Sequence, residues 1–127
     1  MDAQQELFIA LRRGIKEKGY AVYDGVLPPE NTPYPFVYLG DFRQSETGLK
    51  GAITGTVFPV IHVWHNNPGQ RGTVSQMMLD VKAVIRSINR TANFAWLMRN
   101  VNGQILPDNT TKTPLLHGIV EADCLFT

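Results

Sequence analysis

The stretch from Thr56 to Trp64 (TVFPVIHVW) constrains this chain more than any other. Its β-branched and aromatic residues suit a pleated strand. A strand with one wet face alternates apolar and polar positions, and this one barely does, so both of its faces are expected to be covered. Pro59 has no N–H to give to a ladder and demands either an edge position or a bulge.

The neighbouring segments frame that strand. Phe36-Val37-Tyr38-Leu39 begins a partner strand that runs on through Gly40-Asp41-Phe42-Arg43. The polar stretch Gln44 to Gly55, with Gly48, Gly51 and Gly55, reads as the mobile tip of a long hairpin joining the two. Before it, residues 26–35 (VLPPENTPYP) contain four prolines and form a stiff, extended loop. Tyr20 to Tyr23 is a short extended piece closed by the Asp24-Gly25 turn signal.

Two stretches have helical periodicity. In Asp2 to Lys18, Leu7, Leu11 and Ile15 recur every four residues, with Phe8 widening the stripe. Asp2 and Glu6 suit the positive end of the helix dipole, Lys16 and Lys18 the negative end, and Gly19 the stop. Gly14 is a weak point in this helix, costing up to about 1 kcal/mol against Ala. After the His65-Asn66-Asn67-Pro68-Gly69 turn, Thr73 is placed as an N-cap with Gln76 completing a capping box. Val74, Met77, Val81, Ile85 and Ile88 mark the buried face of the second helix, which ends by Asn89 to Asn93.

The remainder reads as β. Phe94 to Val101 is one strand, Asn102-Gly103 a two-residue hairpin turn, and Gln104-Ile105-Leu106 the return. Residues 107–114 form a polar loop, and Leu115 to Phe126 a last strand with Leu116, Gly118, Val120, Ala122, Cys124 and Phe126 on one face. This order predicts a single α+β domain spanning residues 1–127. Its antiparallel or mixed sheet has a long hairpin, and two helices pack on one face.

Composition narrows the function. Twelve Lys and Arg stand against eleven Asp and Glu, and no basic block is long enough to neutralise many phosphates. The cluster Arg12, Arg13, Lys16 and Lys18 reads as a solvated helix face. The single cysteine, Cys124, excludes an intrachain disulfide and sits in an apolar strand as a buried thiol. No apolar run approaches the ~20 residues that span a bilayer, and the first residues lack a secretory pattern, so an intracellular soluble protein is expected.

Reactive constellations are sparse. His62 and His65 have His-x-x-His spacing, but positions three apart on a strand point to opposite faces, and zinc wants three or four ligands. Only His117 and Cys124 could add to them. Glu121 and Asp123 share a strand face, as a solvated surface or as interface ion pairs. Ser45, Ser75 and Ser87 lie in no nucleophile elbow, and Gly48, Gly51 and Gly55 form no phosphate loop. No catalytic residue, cofactor site or metal set is assigned, and a non-enzymatic role is expected.

Three segments together resemble a known family. They are Val22-Tyr23-Asp24-Gly25-Val26-Leu27-Pro28 leading through prolines to Tyr34-Pro35-Phe36-Val37-Tyr38-Leu39-Gly40, then Val60-Ile61-His62-Val63-Trp64 with its turn and helix, then Gly118-Ile119-Val120-Glu121-Ala122. The arrangement is similar to the tail-completion, or tail-terminator, proteins that join tail to head in long-tailed bacteriophages. That resemblance implies a virion structural protein assembled in the host cytoplasm. It implies a homo-oligomeric ring, commonly a hexamer, capping the head-proximal end of the tail tube. The implied partners are its own copies, the tail tube protein and the head connector or neck protein, with no membrane, and with DNA only passing through the ring. Strand edges and long loops are the natural contact elements, which nominates Pro28, Pro33, Tyr34, Gln44, Glu46, Leu49, Lys50 and Ile53 as assembly contacts. Glycines in the hairpin are expected to let it order on docking. Another phage neck or head-completion protein, a small soluble binding module or unrecognised enzyme using His62, His65 and His117, and a nucleic-acid binder are the alternatives.

Overall fold

The computed structural model describes every residue except Leu27, Lys50 and Gly51, with the side chains of Leu49, Ala52 and Ile53 also outside the description. The fold is α+β. In chain order it comprises α1 (Ala3–Glu17), β1 (Val22–Asp24), β2 (Phe36–Leu49), β3 (Ala52–His65), α2 (Arg71–Ser87), β4 (Trp96–Asp108) and β5 (Leu115–Phe126). The strands form a mixed sheet in the order β1-β2-β3-β5-β4, with β1 parallel to β2 and the other pairs antiparallel.

Both helices lie on one face of the sheet. Helix α1 starts at Asp2, whose carboxylate accepts the Gln5 N–H, and it buries Ala3, Leu7, Leu11 and Ile15. Gly19, at φ 96°, ends it as expected. Helix α2 buries Val74, Met77, Met78, Val81, Val84 and Ile85. These side chains meet Val37, Leu39, Val57, Ile61, Val63, Val120, Cys124 and Phe126 in one core. Glu6 is the one charged residue buried among the described residues, and Asn93 takes up its carboxylate.

Four local expectations change. The stretch Gln44 to Gly55 is ladder rather than tip: β2 and β3 stay paired out to Gly48↔Ile53 and Leu49↔Ala52. Glycine misled there, because a Cβ at Gly55 would lie 2.1 Å from the Ser45 carbonyl oxygen, so Gly55 allows close backbone approach inside the ladder. The Asn102-Gly103 hairpin does not exist, since β4 runs through it. A register shift between Arg99 and Asn102, with Asn100 at φ 51°, bends the strand while β5 pairs with both sides of the bulge. A Cβ on Gly103 would come within 2.8 Å of Met78 Cε, so that glycine gives clearance to α2.

Helix α2 begins at Arg71, before the expected cap. The Asn67 side chain accepts the Gly69 N–H and its carbonyl accepts the Gln70 N–H, so the turn itself starts the helix. Thr73 hydrogen-bonds to the Gln70 side chain and caps nothing. Pro59 resolves to the bulge: β3 is central, and the register with β2 shifts between Leu39 and Phe42, opposite that proline. The fourth change concerns the second face of β3, which no helix of the described chain covers.

Candidate assembly face

Alternation along the strands sorts side chains onto the two sheet faces. Ile61 and Val63 turn into the core, while His62 and Trp64 turn out; Val120 and Gly118 turn in, while Ile119 and His117 turn out. The outward face therefore carries Tyr38 from β2, Phe58, His62 and Trp64 from β3, and His117 and Ile119 from β5, a largely apolar surface left half-buried by its own neighbours.

An aromatic row crosses three strands at its centre. Trp64 stands opposite His117 in the ladder, and their rings stack at 3.7 Å between centroids and 8° between planes. His62 lies beside His117 at 4.9 Å between centroids and 21° between planes, and Tyr38 follows His62 at 6.1 Å. The Tyr38 hydroxyl donates to the Gly25 carbonyl at 2.9 Å, tying the row to the turn after β1. Gly40 leaves room for the His62 ring, since a Cβ there would lie 2.7 Å from its Nε2.

The Nδ1 of His62 and the Nε2 of His117 are 2.6 Å apart, so one ring donates and the other accepts. Burial holds the His62 pKa below its ordinary value, against the pull of Asp41 and Glu121. Burial and then the neighbouring His62 push His117 down to about 4, against Asp108. Both rings are thus uncharged at neutral pH and behave as flat, polarisable surface. Among the described residues no third His, Cys, Asp or Glu joins them, and zinc takes three or four protein ligands. His65 faces the other way and accepts the Asn67 N–H through its Nδ1.

Other chemistry-bearing groups are placed apart. Cys124 is buried in the core, where burial and then the Asp123 charge push its thiol up to about 12, the opposite of a reactive thiolate. Glu121 and Asp123 do share the outward face; Asp123 accepts from the Asn100 side chain at 2.8 Å. The basic cluster lies on the solvent side of α1, beside a shallow depression of about 620 Å³, where Arg12 approaches Asp24 at 3.4 Å. No helix among the described residues is long and apolar enough to cross a membrane.

The nominated contacts divide into three groups. Pro33 and Tyr34 are exposed in the loop before β2, Pro28 is half-buried there, and Tyr34 packs on Phe36 at 5.1 Å. Gln44 is partly occupied within the chain: its side-chain carbonyl accepts the Gln4 N–H at 3.1 Å, and its amide donates to Glu46, which is exposed. Lys50 and the side chains of Leu49 and Ile53 lie outside the described residues. The aromatic row was missed as a unit because His62 and His117 are 55 residues apart in sequence. The signal that could have found it is the outward register of the long apolar strand.

No family model matches the chain, and no curated protein matches it. Solved structures do. A chain in the virion of a native gene transfer agent particle superposes with a TM-score of 0.65 at 16% identity, covering 98% of this chain and 95% of that one. The two chains share a fold. A second solved chain, 12% identical, gives a TM-score of 0.60 over 98% of this chain and 96% of its own length. Likeness at these identities establishes the architecture along the whole chain and nothing about shared chemistry.

Proposed function

We propose that this chain is a virion structural protein that caps the head-proximal end of a phage tail tube as a homo-oligomeric ring, most simply a hexamer, and joins the tail to the head connector. The observation that carries the reading is the full-length match of its fold to a chain of a gene transfer agent virion. The family resemblance of the Tyr23-Asp24-Gly25 and Pro35-Phe36-Val37-Tyr38-Leu39 segments points the same way.

Physical features support an assembly role without catalysis. Among the described residues one face of the sheet carries no helix and presents Phe58, Trp64 and Ile119 beside its polar groups, and β1 pairs with only Val37 to Leu39 of the fourteen-residue β2. Such surfaces are what identical subunits use to pack or to extend sheets. The imidazoles are neutral and stacked, and the thiol is buried, so the obvious reactive groups are arranged as packing surface.

The test is electron microscopy of particles made without this protein. Loss of a terminator leaves overlong or headless tails. Normal tails beside empty, leaking heads would instead assign a head-completion role and overturn the capping function. A measured turnover would remove the structural reading altogether.

A further inference from the structure

The outward sheet face and the outer face of α2 are complementary to each other. Along α2, Ser75, Leu79, Ala83 and Arg86 recur on the side away from the core, and all four are exposed. Leu79 is 54% exposed, an apolar knob between two small residues, with Arg86 two turns further on. The sheet face offers one apolar side chain, Ile119, in a recess otherwise lined by polar groups, with the carboxylate of Glu121 beside it. Glu121 separates two depressions: one of about 190 Å³ lined by Asn102, Gly103, Gln104 and Ile119, and one of about 470 Å³ that includes Asp41, Val60 and Asp123.

The charges are sorted in the same sense. Surface cations gather on the helix layer, as Arg12, Arg13, Lys16, Arg71 and Arg86, although the chain as a whole is near neutral. On the sheet face Arg43 is engaged, lying 4.1 Å over the Phe58 ring, and Arg99 stands opposite the acidic Asp123 in the ladder. Glu121 is exposed and has no hydrogen bond or ion pair among the described residues.

We infer that a second copy of this chain occupies the open face, its α2 seating Leu79 in the depression beside Ile119 and placing Arg86 against Glu121. The two surfaces lie on opposite sides of a two-layer molecule, so one pair of copies cannot satisfy both at once. The contact is head-to-tail, and the proposed ring requires that its rotation return to the first copy; a rotation that does not would run on as an open filament. This inference rests on the proposed ring assembly and names the surfaces that would make it.

The test is a charge exchange read by sedimentation against protein concentration, alone and with purified tail tubes present. Glu121→Arg and Arg86→Glu each should raise the concentration needed for assembly at least tenfold, and the double variant should return it to near the wild-type value. Leu79→Asp, another exposed position that leaves the fold intact, should act like the single exchanges. Rings that form equally well in all variants would overturn this interface while leaving the capping role standing, as would a double variant no better than the singles. Wild-type protein that neither assembles nor binds tubes would overturn both.

Discussion

Asn93 holds the carboxylate of Glu6 with two hydrogen bonds, from its backbone N–H at 3.0 Å and from its side-chain amide at 2.7 Å. The side chain of Thr91, and then that of Asn93, bond the ionised form and keep the Glu6 pKa below its ordinary value despite burial. Thr91 in turn accepts from the Trp96 indole at 2.9 Å, so the network links α1 to the segment entering β4. Glu6→Ala removes a buried charged acceptor from the exposed Asn93 and the half-buried Thr91, and should cost about 1–3 kcal/mol in urea unfolding. Because the folded pKa is depressed, this contribution is present above the ordinary carboxylate pKa and disappears as pH falls through the folded value.

The imidazole pair produces pH dependence in a higher window. Folding lowers both histidine pKa values, His117 from 6.5 to about 4, so the unfolded chain binds more protons throughout that interval. Stability is therefore complete above about pH 6.5 and declines as pH falls towards 4. The Tm measured at pH 5 should be lower than at pH 7.5 by a few degrees. In His117→Gln the slope across this window should flatten, and an unchanged slope would mean that other groups dominate.

Gly14 sits where α1 crosses α2. A Cβ there would lie 2.5 Å from Val84 Cγ1, so the residue that weakens the isolated helix is what lets the two helices approach. Gly14→Ala should destabilise by about 1–2 kcal/mol through overpacking, exceeding its gain in helix propensity. Adding Val84→Ala should recover part of that loss, measured as non-additivity in a double-mutant cycle.

The ladder through Thr47↔Thr54 and Gly48↔Ile53 changes the expectation for hydrogen exchange. Ladder amides of this hairpin that donate across β2 and β3 should be protected in the free monomer, exchanging well below the rate of the exposed loop at residues 109–113. Exchange at the loop rate in monomer, with protection gained only on assembly, would restore the view that the hairpin orders on docking.

Much of the fold was legible because it is written in local periodicity. Leu7, Leu11 and Ile15, and Val74, Met77, Val81 and Ile85, face the core as their spacing requires. The differences share a cause: Gly55 suggests a hairpin tip and Gly103 a turn, yet Gly55 lies against the Ser45 backbone too closely for a Cβ and Gly103 lies under the movable end of Met78 on α2. Proximity of that kind depends on a partner distant in sequence, as does the meeting of His62 with His117. The apolar outward face of β3 was read as a covered surface; among the described residues no helix lies on it, and this is what made the face a candidate site.

The sheet order also governs when the molecule can become whole. Strand β3 takes its second neighbour from β5, so His62 waits for Ile119 and Val57 for Cys124. While a ribosome is still making residues 66–114, the inner margin of β3 has no native mate, and a bare strand margin invites foreign ones. Folding in the cell is consequently a race that ends only with the final strand, and slow synthesis of the second half would favour misassembly between nascent chains.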